Sequence, residues 1–462
     1  MTLDSNRSMS SQRPNNGSSS LDSSPNGVNY QLDESSDDKI DGGYGWVVTA
    51  CLAITNGHTW GINAAYSVFL AHFLEHDSFP GSSPLEYAFV GSLTVTCTFL
   101  ISPLATIAAR DFGTRPTMMA GSVMLSASLI CASLSTKIWQ LFLSQGVLFG
   151  MGMGFIFLPT FGLLSQWFRK RRALATGSAI AGGGLGGLTY SLSVEAMIQN
   201  IGLGWAFRIL AIITFVVNIS CTLLIKTRYK ATGSRQLPFD ISLIKRLDYI
   251  LVIASGFFNM LGYWVLLYTL ANYANTIGLN SSQASLIPAM LSLAQAIGRP
   301  LVGHFSDTIG YLNMSVLSNI LTAIIALAVW TNAKTYGVLI FFALIEGLVV
   351  GAWWVTVGPV MADVIGLQNL PSGLSLLWLA MVVPCTFSTP IALEIVDQTG
   401  HYIGAQLFTG LVFVVSAVLA LLLRGLKMKH SAKGDTASKG SQAAKYSLLK
   451  AFICHCVKWQ KV

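Results

Sequence analysis

Two charged side chains interrupt long apolar stretches of the sequence, and both are candidates for chemistry. Arg299 lies about one turn before the end of the stretch 283–303, and Glu346 lies near the middle of the stretch 336–361. A charge inside an apolar segment is costly unless it is paired or faces water. A guanidinium stays charged there and binds a carboxylate through two parallel hydrogen bonds. The alternatives for Arg299 are a structural ion pair and a side chain that extends to the membrane surface.

Glu346 has two interpretations that the sequence supports equally. Burial favours the protonated form of a carboxyl, so Glu346 is the leading candidate for a group that carries a coupled proton. In the other interpretation, Glu346 neutralises Arg299 between neighbouring helices. His58 is a second candidate for proton coupling, although a histidine that is hydrogen-bonded across helices is the more common case.

Polar and aromatic side chains in the other apolar stretches are candidates for lining a cavity around Arg299. Each of them can instead pack in a helical core or lie at a membrane interface. The residues that we expect to bind a substrate together with Arg299 are Asn63, Tyr66, Gln295, Tyr263 and Trp354.

Motifs for enzymes, nucleotides and metals are absent from the sequence or occur in the wrong context. The run Gly182-x-Gly184-x-x-Gly187 matches a dinucleotide fingerprint, but it lies in an apolar helix and follows no strand, so close helix packing is the better interpretation. No phosphate-binding Gly-x-x-x-x-Gly-Lys-Ser/Thr loop occurs, which excludes ATP as the driving force through such a loop. Cys454-His455-Cys456 offers at most three cramped ligands, so we expect no metal there. We also expect no cofactor.

The composition predicts that these residues belong to a membrane protein. Of the 462 residues, 53% are hydrophobic and only 10% are charged, whereas soluble domains are about 25% charged. The apolar runs are long and continuous, unlike the short alternating segments of a membrane β-barrel. The net charge of +8 comes from basic residues beside hydrophobic runs, so it does not indicate nucleic-acid binding. We therefore expect an all-α protein that crosses the membrane many times.

The hydropathy pattern predicts twelve transmembrane helices in two groups of six. The predicted spans lie near 46–72, 87–109, 116–135, 138–164, 173–194, 205–225, 249–271, 283–303, 314–333, 336–361, 373–394 and 401–423. The predicted domains are a disordered cytosolic tail (1–43), a six-helix half (44–225), a cytosolic loop (226–247), a second six-helix half (248–423) and a cytosolic tail (424–462).

The distribution of Lys and Arg predicts the orientation of the chain. With the N-terminus inside, twelve basic residues lie on the cytosolic side and only Lys137, Arg208 and Lys334 lie outside. Cytosolic loops carry the excess of basic residues, so both termini are expected in the cytosol.

The two predicted halves resemble each other in the placement of proline and glycine. Pro103 corresponds to Pro300 and Pro159 to Pro359, at separations of 197 and 200 residues. One six-helix unit thus occurs twice in the same orientation, which is the plan of transporters that rock two halves around a central site.

Four motifs give a more specific resemblance. They are Asp41-Gly42-Gly43-Tyr44-Gly45-Trp46, Arg110-Asp111-Phe112-Gly113-Thr114-Arg115, the run from Trp167 to Gly177, and Asp397-Gln398-Thr399-Gly400-His401-Tyr402. The run from Arg110 to Arg115 resembles a loop of the major facilitator superfamily, and the other three motifs resemble the monocarboxylate-porter family within it. The Ser- and Asn-rich N-terminal region and Ser78-Phe79-Pro80-Gly81 resemble its fungal branch.

The motifs also have a physical interpretation as topology and gating elements. Asp41 complements the dipole at the start of the first helix. Arg110 and Arg115 mark an inner loop. The basic run of Arg169, Lys170, Arg171 and Arg172 either fixes topology beside anionic lipid or pairs with Asp111 or Asp307 as an inner gate.

The resemblance implies a secondary active transporter of small organic acids, or related metabolites, that works by alternating access and is linked to protons. It implies that Arg299, in the pair Arg299-Pro300, grips the carboxylate of the substrate. The animal members place an acidic residue where this chain has Gln295 and a lysine where it has Ala64, so this chain lacks the two residues that would carry the proton there, and Glu346 is the candidate to replace them. The paired indoles Trp353-Trp354 suit a substrate larger or flatter than lactate.

Two other functions compete with this one. The first is efflux of a fungal secondary metabolite that is made by a neighbouring gene cluster, and the second is a nutrient sensor that does not transport. The expected partners are membrane lipid, a small organic anion and protons, with no nucleic acid; the sequence gives no sign for or against an accessory subunit. The plasma membrane is the expected location, with the vacuole or another internal membrane as the alternative.

Overall fold

The computed structural model describes residues 41–76, 79, 84–227 and 240–438. Every regular element in these ranges is helical, as the sequence predicts. We call 41–227 the N-terminal half and 240–438 the C-terminal half. The predicted disordered tail before Asp41 and the Cys454-His455-Cys456 motif lie outside the described residues.

The N-terminal half contains ten α-helices among its described residues, with one π-helical segment, Phe142–Leu148, between α6 and α7. The helices are α1 (Tyr44–Ala64), α2 (Tyr66–His76), α3 (Pro84–Leu100), α4 (Ser102–Asp111), α5 (Thr114–Ser133), α6 (Ile138–Leu141), α7 (Phe149–Phe161), α8 (Leu164–Trp167), α9 (Arg172–Ile201) and α10 (Leu203–Leu224).

The described part of the C-terminal half contains seven α-helices and two short 3-10 helices, Ile241–Lys245 and Trp330–Asn332. The α-helices are α11 (Leu247–Thr276), α12 (Ser281–Ile309), α13 (Tyr311–Ala328), α14 (Tyr336–Val350), α15 (Ala352–Ile365), α16 (Leu370–Thr399) and α17 (Ile403–Ser438).

Most of these helices are suited to a bilayer. Within the described residues, nine helical stretches are long and apolar enough to cross a membrane, and the bent pair α3–α4 makes a tenth. The helices α1 and α9 fall below that level of apolarity because glycine, hydroxyl and amide side chains replace many aliphatic ones. The all-helical membrane architecture is thus confirmed, and the exact count of twelve spans stays a prediction.

The helix starts repeat along the chain. Helices that begin at Pro84, Thr114, Ile138, Arg172 and Leu203 have counterparts that begin 197 to 200 residues later, at Ser281, Tyr311, Tyr336, Leu370 and Ile403. Gly113 and Gly310 precede corresponding helices and both have left-handed φ values, 94° and 109°, that favour glycine. This agreement extends the predicted repeat from two pairs of prolines to whole elements.

Several boundaries differ from the prediction. The predicted span 87–109 is bent by 44° where α3 meets α4, because Pro103 in the first turn of α4 starts a new helix. The predicted span 138–164 is not one uninterrupted α-helix: it contains the π-helical segment and is divided among α6, α7 and α8. The last helix does not end at 423: α17 continues to Ser438, into the predicted tail.

Glycines let α9 pack closely between α1 and α12. A Cβ atom on Gly61 of α1 would lie 2.6 Å from the carbonyl carbon of Gly186 on α9, and one on Gly184 would lie 2.9 Å from the carbonyl oxygen of Ser292 on α12. The predicted packing role of the run 182–187 is confirmed. Gly182 and Gly186 make the closest backbone approach to α1.

Candidate functional site

Arg299 on α12 forms hydrogen bonds that join the two halves. Its side chain is buried, with 8% exposed, and its Nη1 donates to the carbonyl of Ile180 on α9 at 2.9 Å. Its Nη2 lies 2.6 Å from Oε1 of Gln295 and 3.3 Å from the hydroxyl oxygen of Tyr263 on α11. The Tyr263 hydroxyl also donates to Gln295 at 3.2 Å. The structure thus brings together three of the predicted binding residues.

The guanidinium of Arg299 has only uncharged partners. None of the four ion pairs among the described residues includes Arg299. Its Nε is buried and donates to no acceptor. A buried charge without an opposite charge is strongly unfavourable. Neither a structural ion pair nor a side chain at the membrane surface describes this geometry, and an anion would complete it.

Two glycines make room for the guanidinium. A Cβ atom on Gly351, between α14 and α15, would lie 3.0 Å from Nε and 3.3 Å from Cγ of Arg299. A Cβ atom on Gly183 of α9 would lie 3.8 Å from Nη1 of Arg299 and 3.3 Å from Cβ of Trp60. The sequence analysis missed Gly351, because a lone glycine between two apolar segments has no distinguishing signal.

Glu346 on α14 does not neutralise Arg299. Its side chain is fully buried, and both carboxyl oxygens lack a hydrogen-bond partner. The next residue, Gly347, lets α14 approach α12, since a Cβ atom there would lie 2.6 Å from the carbonyl oxygen of Leu291. A carboxylate is costly to bury without a partner, so the neutral acid is the form that fits this environment.

An aromatic cluster joins the two halves beside Arg299. We call it the aromatic seam. It consists of Trp60, Phe99, Phe157 and Phe161 from the N-terminal half and Trp354 and Trp378 from the C-terminal half. Ring centroids lie 5.2 Å apart for Phe99 and Trp378, 4.8 Å for Phe161 and Trp378, and 5.9 Å for Trp60 and Trp354. The three phenylalanines were not predicted, because phenylalanine in an apolar run looks like ordinary core.

Arg299, Gln295 and Tyr263 form a cluster that we call the Arg299 group. Three other predicted residues are not part of it. The Tyr66 hydroxyl donates to the carbonyl of Tyr87 at 2.6 Å, within the N-terminal half. The His58 ring lies 2.8 Å from the carbonyl oxygen of Ile54 and packs against Tyr190. His58 is about 200° around α1 from Trp60, because successive helical residues are about 100° apart. Asn63 lies one turn beyond Trp60 and is partly exposed.

The basic residues of the inner loops lie at one end of the helices, which we call the basic end (Arg110, Arg115, Arg169–Arg172 and Arg246). There, the carboxylate of Asp307 at the end of α12 accepts the backbone N–H groups of Ala173 at 3.0 Å and Leu174 at 2.9 Å. Asp307 therefore caps the first turn of α9, and this cap ties the C-terminal half to the N-terminal half.

Asp41 holds the loop before α9 in a similar way. One carboxylate oxygen accepts the backbone N–H groups of Arg169, Lys170 and Arg171, at 2.7, 2.6 and 3.2 Å. The predicted role of Asp41 as a partner of the dipole of the first helix is thus replaced by a contact with the α8–α9 loop.

The charged partners at the basic end differ from those expected. Asp111 forms its ion pair with the adjacent Arg110, at 2.6 Å, and not with the basic run. Arg172 instead lies 3.7 Å from Asp363 at the end of α15, and Asp363 also contacts Lys427 on α17 at 3.4 Å. The sequence analysis missed Asp363. Arg115 donates to the carbonyl of Ile225 at 2.7 Å, which anchors the end of α10.

Within the described residues, no group of three or more His, Cys, Asp or Glu side chains could hold a metal ion.

Known proteins resemble this chain over most of its length. A family model described as the Major Facilitator Superfamily matches residues 46–246 and 252–457. "Probable transporter MCH2" of Saccharomyces cerevisiae is 33% identical over 396 residues, which cover 83% of each chain. "Agnestins efflux protein AgnL12" of Paecilomyces divaricatus is 28% identical over 370 residues, covering 80% of this chain and 84% of that protein.

The fold also matches a solved structure. The proton:xylose symporter XylE, bound to 6-bromo-6-deoxy-D-glucose, superposes with a TM-score of 0.68 and 13% sequence identity. The match covers 81% of this chain and 94% of that structure. At this identity the similarity shows a shared fold.

Proposed function

Since the chain belongs to the major facilitator superfamily and is a membrane transporter rather than an enzyme, we propose that it carries small organic acids by secondary active transport. In this proposal it is a fungal member of the monocarboxylate-porter branch. The motifs from Asp41 to Trp46 and from Trp167 to Gly177 support this branch.

One observation supports an organic anion above all others. The guanidinium of Arg299 is buried between the halves, its hydrogen-bond acceptors are all neutral, and its Nε has no acceptor. A carboxylate supplies the missing negative charge and two acceptor oxygens in the planar geometry that guanidinium binds best. Gln295 and Tyr263 orient the guanidinium for that contact.

Alternating access is the proposed mechanism. Arg299 and Gln295 lie on α12, Tyr263 on α11 and Ile180 on α9, so rocking of the halves changes the surroundings of the guanidinium. An incoming carboxylate competes with the Ile180 carbonyl for Nη1. The Asp307 cap on α9 holds the basic end closed and opens when the halves part there.

Proton coupling is assigned to Glu346. Its carboxyl is buried without a partner, so it takes up and releases a proton only when a conformational change admits water. His58 is left out of this role, because its ring is hydrogen-bonded to the Ile54 carbonyl on another face of α1.

The proposed topology places the basic end and both termini in the cytosol, following the preference of Lys and Arg for cytosolic loops. The plasma membrane remains the proposed location.

The function is tested with purified protein in liposomes that are loaded with unlabelled lactate, pyruvate or benzoate. We expect saturable uptake of the labelled acid by exchange, and competition from other carboxylates. The neutral amides of the same acids are the matched controls and should not compete. No exchange of any carboxylate, or equal competition from the amides, would contradict the proposal.

Efflux of a secondary metabolite is the second candidate, because a relative with 28% identity is named as an efflux protein. Deleting the gene in the native host separates the two directions of transport. A compound that accumulates inside the cells and falls in the medium indicates efflux. A nutrient that stays unconsumed in the medium, without internal accumulation, indicates uptake.

A further inference from the structure

The aromatic seam is built by both halves. Its rings lie on α1, α3, α7, α15 and α16, and the Trp60 ring centroid is 5.2 Å from that of Phe157 within the N-terminal half and 5.9 Å from that of Trp354 across the two halves. Contacts across the halves must break when the halves move. Each half then presents flat apolar ring faces, which are unfavourable in water, to the space between them.

The seam is continuous with the Arg299 group. The Tyr263 ring, whose hydroxyl contacts Arg299, has its centroid 6.0 Å from that of Trp354. Gly183 on α9 lies next to both the seam and the Arg299 group, since a Cβ atom there would contact both Trp60 and the Arg299 guanidinium. A ligand whose carboxylate binds Arg299 therefore has its remaining atoms next to these rings.

Two polar groups of the seam are also left without partners. The indole N–H groups of Trp60 and Trp378 are buried and find no acceptor among the described residues. Buried N–H groups are nearly always hydrogen-bonded in proteins. Two indole N–H groups without an acceptor, next to a guanidinium without an opposite charge, therefore indicate a site where a ligand supplies the missing acceptors.

We infer that the substrate is an aromatic carboxylate, which binds Arg299 through its carboxylate and stacks its ring against the aromatic seam. This inference rests on the proposed function and narrows it from organic acids in general to planar aromatic ones. A flat ring replaces the ring–ring contacts that are lost when the halves part, in the offset or edge-to-face arrangements that aromatic pairs prefer. A short aliphatic acid reaches Arg299 but leaves the ring faces exposed.

Benzoate and cyclohexanecarboxylate are the probes that test this inference. Both are seven-carbon monoanions at neutral pH with similar apolar surface, and only benzoate is planar and aromatic. Their dissociation constants are measured by thermal stabilisation of the purified full-length transporter. We expect benzoate to bind at least about ten-fold more tightly, which corresponds to about 1.4 kcal/mol.

Variants of Trp354 test whether the aromatic seam causes the preference for benzoate. Trp354→Leu removes a central ring of the seam and should bring the ratio of the two dissociation constants close to one, whereas Trp354→Phe should keep most of it. Trp330→Phe is the matched control, because Trp330 is also buried but stacks on Phe342 in another cluster. It should leave the ratio unchanged.

The outcomes separate this inference from the proposed function. Equal affinities for the two acids in the wild type, both weakened by Arg299→Lys, would overturn the aromatic preference and support the organic-acid transporter. Binding of neither acid, together with no carboxylate exchange in liposomes, would overturn both. If Trp354→Leu still prefers benzoate, the benzoate ring binds outside the aromatic seam, which would also overturn the inference.

Discussion

Burying the guanidinium of Arg299 costs free energy that three hydrogen bonds to neutral groups offset only in part. Glu346 presents the opposite case, a buried carboxyl without a partner on the neighbouring helix α14. The two groups do not pair with each other in this structure. In the proposed mechanism, this separation leaves Arg299 free for an anion from solution and leaves Glu346 free to exchange a proton.

Replacing Glu346 with Gln keeps the shape of the side chain and removes its proton. We expect pH-dependent accumulation to be lost while exchange of labelled acid at equal pH continues, because exchange needs no net proton movement. Uptake into liposomes with and without a pH gradient measures both. Glu195→Gln is the control, since Glu195 is exposed near the other end of α9; unchanged pH dependence in Glu346→Gln removes this residue from the proton path.

Replacing Gly351 with Ala tests the space around the guanidinium. The added methyl would lie 3.0 Å from Nε of Arg299, so the side chain must shift. We expect the KM for carboxylates to rise several-fold at a normal level of folded protein. Gly337→Ala places a methyl on α14 with nothing within 4 Å and should have no effect. Equal KM values for the two variants would mean that the position of Arg299 does not matter.

The charged residues could be found from the sequence, and most of their neighbours could not. Arg299 and Glu346 are recognisable because a charge in an apolar run is costly. Phe99, Phe157 and Gly351 are chemically ordinary in such a run. Only the fold shows that they meet Arg299 or the seam.

At the scale of helices, the halves are joined in two different ways. At α9 and α12, Asp307 supplies a charged cap. At α3–α4 and α16, the contacts are neutral: the hydroxyls of Thr96 and Thr386 lie 2.8 Å apart, and Ser102 donates to the Ser375 carbonyl at 3.0 Å. The basic end is therefore held more strongly on the α9 side.

Asp307→Ala removes the cap on α9, which is worth about 0.5–2 kcal/mol for a helix N-terminus. We expect the basic end to open more often. A cysteine placed at Ser375, which lines a cleft there with Thr106 and Gln166, should then react several-fold faster with a membrane-impermeant maleimide. Asp111→Ala is the control, because Asp111 pairs with its neighbour Arg110. Equal labelling rates in the two variants would argue against a gate at Asp307.

Helix positions were predictable to within a turn for most elements, because apolar runs of bilayer length have few other options. The ends were less predictable. Pro103 marks the break at Ile101, whereas hydropathy alone signals neither the π-helical segment 142–148 nor the continuation of α17 to Ser438.

For the whole molecule, the proposed mechanism requires that the two halves move relative to each other during transport. Cysteines at Thr96 and Thr386, whose hydroxyls are 2.8 Å apart, should form a cross-link between α3 and α16. We expect oxidation to stop carboxylate exchange and reduction to restore it. The two variants that carry only one of the new cysteines are the controls, since they show whether the native Cys97 or Cys385 forms a cross-link. Full exchange by the cross-linked protein would contradict alternating access through this interface.

The central claim is that Arg299 binds the carboxylate of the substrate, and carboxylate exchange by Arg299→Lys tests it most directly. Lysine keeps the positive charge but loses the planar pair of donors. We expect the KM to rise about ten- to hundred-fold, which is the effect of losing one hydrogen bond to a charged group. Arg208→Lys, on α10 beside Trp205, should behave like the wild type. Wild-type exchange kinetics in Arg299→Lys, at equal amounts of folded protein, would contradict the claim.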